Sequence, residues 1–125
     1  MVKKTVKKTS DMLKDIIVKG IIEKKGKDIT VLNLSGLQNV MFDYFIICNG
    51  TSKPQTEAIA DSIQFEVKKA IGEYPRHVEG LMNAEWVLLD YFDIVVHVFQ
   101  KEAREFYNLE KLWADADVTV LENHD

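Results

Sequence analysis

The sequence predicts an α/β fold, an α+β sandwich in which helices pack on a mixed β-sheet of about five strands. Short apolar runs of strand length alternate with segments whose apolar residues recur at helical spacing, in the order α-β-β-α-β-β-β-α. A helix directly after the second strand indicates a crossover connection, and the last two strands lie close enough in sequence to form a hairpin. The 125 residues suit a single domain.

The first half of the chain predicts one helix and two strands. Thr9 or Ser10 can cap the helix, which should end before Gly26. Its buried face is expected to be the apolar stripe of Leu13, Ile16, Ile17 and Ile21. Strands are predicted over 28–34 and 43–49, and the second is nearly continuously apolar, as is typical of the centre of a sheet.

The second half predicts another helix, three strands and a last helix. Ser52 or Thr51 can cap the second helix, which should reach Ile71 and stop at Gly72. The three strands are expected over 75–79, 85–90 and 93–99. The last helix should begin near Lys101, with its inward-facing side chains being Ala103, Phe106 and Tyr107.

Charge is unevenly distributed along the chain. We expect a flexible basic arm over residues 1–8, one domain over 9–113 and an acidic C-terminal tail over 114–125. The arm holds the basic residues Lys3, Lys4, Lys7 and Lys8. The whole chain has a net charge of −4, so residues 11–125 carry −8. An acidic body suits a basic protein partner better than nucleic acid, and any RNA contact by the lysines would be minor.

Composition indicates a cytoplasmic protein. The chain has one cysteine, Cys48, within an apolar run, so no disulfide can form within it. No stretch approaches the ~18 apolar residues of a membrane span, and the N-terminus lacks the apolar core of a signal peptide.

The residues do not indicate an enzyme, a metal site or a cofactor. Gly50, Thr51 and Ser52 form a turn before a helix, but the Walker loop and the dinucleotide glycine triad are both missing. A nucleotidyltransferase would also need a pair of metal-binding acids on an adjacent strand. We therefore expect Ser52 or Thr51 to act as a helix cap, with phosphate binding as the less favoured alternative. The three histidines are too scattered for a metal motif, and His97 is expected to be buried with a hydrogen-bond partner.

The stretch LLDYFDIV, residues 88–95, predicts the turn of a hairpin. A two-residue turn at Tyr91 and Phe92 would place Asp90 opposite Asp93. One face of the hairpin would then be wholly aliphatic and pack on the helices, with Val87, Leu89, Ile94, Val96 and Val98. The other face would hold Trp86, Leu88, Asp90, Asp93, Val95 and His97.

The mixed face has two interpretations, which the pattern leaves open. It is a candidate protein interface, because aromatic residues are enriched in interface cores and acids at their rims. Alternatively, the last helix covers it and Trp86 is ordinary core. Phe92 is unfavourable in a two-residue turn because such turns need positive φ, so the position of the turn is also open.

Four stretches together resemble the ribosomal silencing factor family, also called Iojap-like proteins. They are DYFIICNGTS (43–52), VEG (78–80), AEWVLLDYFDIVVHVF (84–99) and EAREFYNLEKLW (102–113). Their order and spacing agree with the family over about residues 9–113. Family members usually have glycine in the hairpin turn, where this chain has Phe92.

The resemblance implies a non-enzymatic factor with a fold similar to nucleotidyltransferases but without their active site. Such factors bind large-subunit ribosomal protein fourteen, block joining of the small subunit and so repress translation in starvation. Some organelle members instead assist large-subunit assembly, and homodimers occur. A divergent nucleotidyltransferase is the weaker alternative. The implied contact region includes Trp86, and by position we add Leu88, Asp90, Asp93, His97, Glu79, Glu102, Arg104 and Tyr107.

Overall fold

The computed structural model describes residues 2–123, with side chains from Ser10 onward. This part of the chain contains three α-helices, α1 (Val2–Glu23), α2 (Lys53–Ile71) and α3 (Lys101–Tyr107), and a 3-10 turn, Leu109–Trp113. It also contains six strands, which are β1 (Lys27–Asn33), β2 (Tyr44–Gly50), β3 (His77–Glu79), β4 (Trp86–Asp90), β5 (Ile94–Gln100) and β6 (Asp117–Val120). None of the described helices is both long and apolar enough to cross a bilayer.

The strands form one mixed sheet, which confirms the predicted fold class. Their order is β3-β4-β5-β2-β1-β6. β2 and β5 pair in parallel at the centre, and the other pairings are antiparallel. A parallel pair needs a long crossover, and here α2 begins it. The nearly continuous apolar run predicted for the sheet centre is β2.

The main core lies between α1, α2 and one face of the sheet. The five aliphatic residues predicted for the helix-facing side of the hairpin all lie in this core and are fully buried, namely Val87, Leu89, Ile94, Val96 and Val98. The two helices meet closely, and the Ser62 hydroxyl donates a hydrogen bond of 2.7 Å to the Gly20 carbonyl oxygen. Each fully buried aliphatic side chain contributes about 1.5–3 kcal/mol relative to exposure.

Both ends of α2 follow the sequence signals. The backbone N–H of Gln55 donates to the Ser52 side chain at 3.2 Å, so the Gly-Thr-Ser turn caps the helix as expected. Gly72 ends the helix in the left-handed region, with φ of 72°, and its N–H donates to the Lys68 carbonyl oxygen.

The start of α1 differs from the prediction. The helix begins at Val2, ahead of the expected cap at Thr9 or Ser10. Ser10 is buried, and its hydroxyl donates to the carboxylate of Asp43 at 2.6 Å. The side chain that suggested a cap therefore joins α1 to the approach of β2.

The hairpin turn lies one residue later than predicted. Trp86 pairs with Phe99 and Asp90 with Val95, and the Tyr91 N–H donates to the Ile94 carbonyl oxygen at 2.9 Å. The turn is thus centred on Phe92 and Asp93, and Asp90 does not face Asp93. The resulting shift of two residues between the strands preserves both faces, because side chains alternate with a period of two.

The shifted turn leaves Phe92 with φ of 80°. This conformation is unfavourable for a residue with a Cβ atom, and two contacts compensate. The Phe92 N–H donates to the Asp90 carboxylate at 2.8 Å, and the Arg76 guanidinium lies 4.5 Å from the centre of the Phe92 ring. The turn is therefore strained at Phe92.

The sixth strand lies within the segment predicted as an acidic tail. β6 pairs with β1 antiparallel at the edge of the sheet. Asn123 fixes its end by reciprocal hydrogen bonds with Asp28, at 2.7 Å to the backbone N–H and 3.0 Å to the carboxylate. All four residues of β6 are exposed, so the strand shows no buried apolar face that a sequence pattern could indicate.

Gly80 should be the glycine least tolerant of substitution among those in turns. It has φ of 86°, and a Cβ atom there would lie 2.0 Å from the carbonyl oxygen of Trp86. We expect Gly80→Ala to lower the free energy of unfolding by about 2–4 kcal/mol in urea titrations, because backbone strain and steric overlap add.

Gly72→Ala is the matched control. Gly72 also has positive φ, but a Cβ atom there meets nothing within 4 Å. Gly72→Ala should therefore lower the free energy of unfolding by only about 1 kcal/mol, the cost of holding a residue with a Cβ atom at positive φ. Equal losses in the two variants would contradict the role assigned to the contact with Trp86.

Candidate functional site

The sheet face opposite α1 and α2 is only partly covered. Its buried residues form a second apolar cluster of Leu32, Leu34, Phe45, Ile47, Val95, Phe99 and Leu109. The short α3, the 3-10 turn and the segment over 37–42 pack against this cluster. The end of the chain therefore covers the centre of this face and leaves its β3–β4 side open, so the core interpretation holds for part of the face and the interface interpretation stays a prediction for the rest.

Trp86 is half-buried at the border between the covered and open parts. Its ring centre lies 4.9 Å from that of Phe99 beneath it and 4.9 Å from that of Tyr107 on α3. Its indole N–H donates to Nδ1 of His97 at 3.0 Å. The indole is thus held on several sides and still presents part of its surface to solvent.

His97 lies behind Trp86 rather than on the surface. Only 3% of the residue is exposed, and its ring meets that of Phe45 edge-on at 4.8 Å. Burial lowers the pKa of His97 to about 4, so the imidazole is neutral at pH 7. This matches the expectation of a buried histidine with a hydrogen-bond partner, and leaves its predicted contact with a partner protein indirect.

Two aromatic side chains of α3 add to the exposed surface. Phe106 is 80% exposed, whereas the helical pattern predicted that it faces inward, and Tyr107 is 49% exposed. α3 spans seven residues and none is buried, so periodicity in so short a helix gives little information about its inner face. The two rings meet edge-to-face at 5.1 Å, beside a shallow cleft of about 390 Å³ lined also by Glu85 and Glu102.

Glu79 and Leu88 extend this surface along the sheet. They pair across β3 and β4, and Leu88 in turn pairs with His97, so the three side chains share one face. Glu79 is exposed and Leu88 is half-buried. We call the combined surface the Trp86 patch, and define it as Glu79, Glu85, Trp86, Leu88, Glu102, Phe106 and Tyr107.

The Trp86 patch combines aromatic rings with negative charge. Three of its seven residues are carboxylates and none is cationic. Five of the predicted contact residues meet there: Trp86, Leu88, Glu79, Glu102 and Tyr107. Sequence reasoning missed Glu85 and Phe106. The sequence signal that could have identified them is their position, because each directly precedes a predicted contact residue, Trp86 or Tyr107, within the family motifs.

Asp90 and Asp93 lie at the turn end of the hairpin, with Asp90 two residues beyond Leu88 on the same face. Asp90 ends the strand that Trp86 begins, about 13 Å away at ~3.3 Å per residue. It is buried, and its carboxylate accepts from the Phe92 N–H and from Nε of Arg76 at 3.0 Å. The carbonyl oxygen of Asp93 accepts from the Asp43 N–H at 2.7 Å, and burial, then the charge of Asp43, raises the pKa of Asp93. Both aspartates therefore organise the turn.

Arg104 joins α3 to strands β1 and β2. Its side chain is 11% exposed and pairs with the Glu110 carboxylate at 2.9 Å. The guanidinium also donates to the backbone carbonyl oxygen of Asp28 at 2.6 Å and to the side chains of Asn49 and Thr30 at 2.9 Å each. The structure thus gives Arg104 a positioning role, although a partner contact was predicted for it.

The described residues contain no group of three or more His, Cys, Asp or Glu side chains placed to hold a metal ion. Cys48 is fully buried, and burial raises the pKa of its thiol to about 12, so the reactive thiolate is suppressed.

Removing the Arg104 side chain should release α3 and the 3-10 turn. We expect Arg104→Ala to lower the free energy of unfolding by about 2–3 kcal/mol, because several hydrogen bonds to buried or partly buried groups are lost together. Arg104→Lys should recover little of this, since an ammonium cannot reproduce the guanidinium fork. Urea titrations measure both variants.

Lys111→Ala is the control, because Lys111 is an exposed cation on the 3-10 turn. Its change should remain within about 0.5 kcal/mol. A similarly small effect of Arg104→Ala would contradict the positioning role.

Acidification should reveal the buried neutral state of His97. Its pKa in the folded chain, about 4, lies below the ordinary value of 6.5. The unfolded chain therefore binds more protons below pH 6.5, and stability is lost as pH falls toward 4. Between pH 7.5 and 5, wild type should lose about 2 kcal/mol more unfolding free energy than His97→Phe. Other titrating groups occur in both proteins and cancel, and parallel pH profiles would contradict the assignment.

Comparison with known proteins gives relatives that agree in sequence and in structure. A ribosomal silencing factor from Halalkalibacterium halodurans is 41% identical over 110 residues, covering 88% of this chain and 92% of that relative. The crystal structure of a Chromobacterium violaceum protein superposes with a TM-score of 0.78 at 35% identity, covering 83% of this chain and 85% of the other.

A more distant relative carries a different name. The mouse protein called mitochondrial assembly of ribosomal large subunit protein 1 is 29% identical over 101 residues. The match covers 79% of this chain and 42% of that protein.

The family resemblance noted from the four sequence motifs is confirmed by a family model described as "ribosomal silencing factor during starvation", which matches residues 7–125. The match spans nearly the whole chain, including the strands and helices that build the Trp86 patch. This chain belongs to the ribosomal silencing factor family.

Proposed function

We propose that this chain binds the large ribosomal subunit through its ribosomal protein fourteen and blocks joining of the small subunit. The single observation that carries the proposal is the Trp86 patch, in which a half-buried indole and two exposed rings lie among carboxylates. Such a combination favours a basic protein surface, since aromatic side chains anchor interfaces and complementary charge speeds encounter.

Repression by this route needs no chemistry. A domain of 14.4 kDa docked on the subunit-joining surface excludes the small subunit by its volume alone. The acidic body, with net charge −8 over residues 11–125, discourages contact with bare RNA phosphates and so favours a protein as the principal contact. The proposal includes a minor rRNA contact by Lys3, Lys4, Lys7 and Lys8, whose side chains lie outside the described residues. It also includes a second copy of the chain in a homodimer.

Assembly of the large subunit is the second candidate function. It is favoured by the name of the mouse relative, and it would use the same docking surface on an immature particle. The two functions differ in the ribosomal state that is bound. Sedimentation of tagged protein from growing and starved cells separates them: silencing predicts mature free large subunits, and assembly predicts precursor particles.

Saturating protein should lower the yield of joined ribosomes formed from purified subunits, and Trp86→Ala should weaken this effect. Truncating a central aromatic contact costs ~2 kcal/mol or more, which is about thirtyfold in affinity. The measurements are sucrose-gradient profiles of joining and pelleting of labelled protein with large subunits.

Phe65→Ala is the control for Trp86→Ala, because Phe65 is 63% exposed on α2, on the opposite side of the sheet. It should leave binding unchanged. Normal joining at saturating wild-type protein would rule out the proposed function. If wild-type protein blocks joining and Trp86→Ala binds as tightly as wild type, the proposed docking surface is wrong and the proposed function stands.

A further inference from the structure

We propose that His97 is a positioning residue, which holds the indole of Trp86 in its docking orientation and leaves the ring rather than the N–H of Trp86 for the partner to recognise. This inference rests on the proposed function and deepens it. It begins with the one hydrogen bond between the two side chains, 3.0 Å from the indole nitrogen to Nδ1 of His97.

The bond fixes the tautomer of His97. An indole nitrogen can only donate, so Nδ1 must accept and carries no proton. A neutral imidazole then has its proton on Nε2. Nε2 is buried and has no hydrogen-bond partner among the described residues. Only one arrangement of protons is therefore compatible with the contact to Trp86.

Among the described residues, the hydrogen bond with Trp86 is the only one found for the His97 side chain. A buried donor without an acceptor is destabilising, and an apolar ring of similar shape would avoid that penalty. The surroundings suit such a ring, since Phe45 and Phe99 are neighbours of His97 on the same face. What only the histidine supplies here is the acceptor at Nδ1.

The same bond determines what Trp86 can offer. Its N–H is directed inward to His97, so the exposed part of the indole is hydrocarbon. Phe99 and Tyr107 contact the ring, whereas the directional contact of the indole N–H is with His97. Docking at Trp86 should thus depend on an apolar or cationic group of the partner that packs on the ring.

The first test is on the free protein. In ¹H–¹⁵N spectra the Trp86 indole signal, assigned with a Trp113→Phe variant, should be protected from solvent exchange. In His97→Phe it should shift and exchange faster, while the urea midpoint at pH 7.5 is no lower than in wild type. His97→Asn, whose Oδ1 can replace Nδ1 as acceptor, should restore protection. An indole signal unchanged by His97→Phe would overturn the inference.

The second test is binding to purified large subunits. We expect His97→Phe to bind about tenfold more weakly than wild type, because one hydrogen bond is lost. His97→Asn should bind within about threefold of wild type, because its Oδ1 partly restores that bond. Tyr91→Phe is the matched control, because the Tyr91 hydroxyl is also buried and unpartnered but lies in the main core. It should bind as wild type does.

A double-mutant cycle separates positioning from general damage. Trp86→Phe removes the same bond together with part of the ring, so adding His97→Phe to Trp86→Phe should weaken binding little further. Additive losses, or full binding by His97→Phe, would overturn the inference. If wild-type protein fails to bind large subunits, the proposed function fails instead, and the spectra still decide whether His97 orients Trp86.

Discussion

The structure depends on one constraint, which is the alternation of side chains along the paired central strands β2 and β5. One set of alternate residues, including Ile46, Val96 and Val98, is fully buried under α1 and α2. The strands cannot slip by one residue, because that would exchange the two faces and expose this aliphatic set. The opposite face is therefore fixed as well, although much less of the chain covers it. A rigid, partly open face follows from the burial of the other.

That constraint explains why the faces could be predicted from the sequence and the turn could not. The aliphatic residues of the hairpin are clear from the sequence pattern, and any shift of the strand pairing by an even number of residues keeps them on the same face. The turn depends on one residue, and Phe92 lacks the conformational signal that glycine would have supplied. Its positive φ is maintained by Asp90 and Arg76, and Arg76 lies in another part of the sequence. Sequence spacing contains no information about such a contact.

The other differences have a similar physical origin. β6 is held by pairing with β1 and by the side chain of Asn123, and neither leaves an apolar pattern. Ser10 looked like a cap because its residue type favours caps, but a carboxylate distant in sequence recruits it. Within the candidate site, the sequence placed Trp86, Leu88, Glu79, Glu102 and Tyr107 on one surface. It predicted that His97 is buried, but not that the Arg104 side chain is largely buried against β1 and β2, because burial of a polar side chain depends on partners from elsewhere in the chain.

The largely buried side chains of Arg104 and His97 share one physical explanation. Arg104 joins α3 to the sheet through Glu110, Thr30 and Asn49, and α3 carries Tyr107 against Trp86. Each buried polar group costs desolvation, so a face designed only for stability would use apolar residues there. Polar contacts are directional, however, and fix orientation where apolar packing leaves freedom. A surface that acts by docking gains more from fixed orientation than from added stability, because a partner then binds side chains that are already in place. The cost of burying Arg104 and His97 is thus understandable as preorganisation of the Trp86 patch.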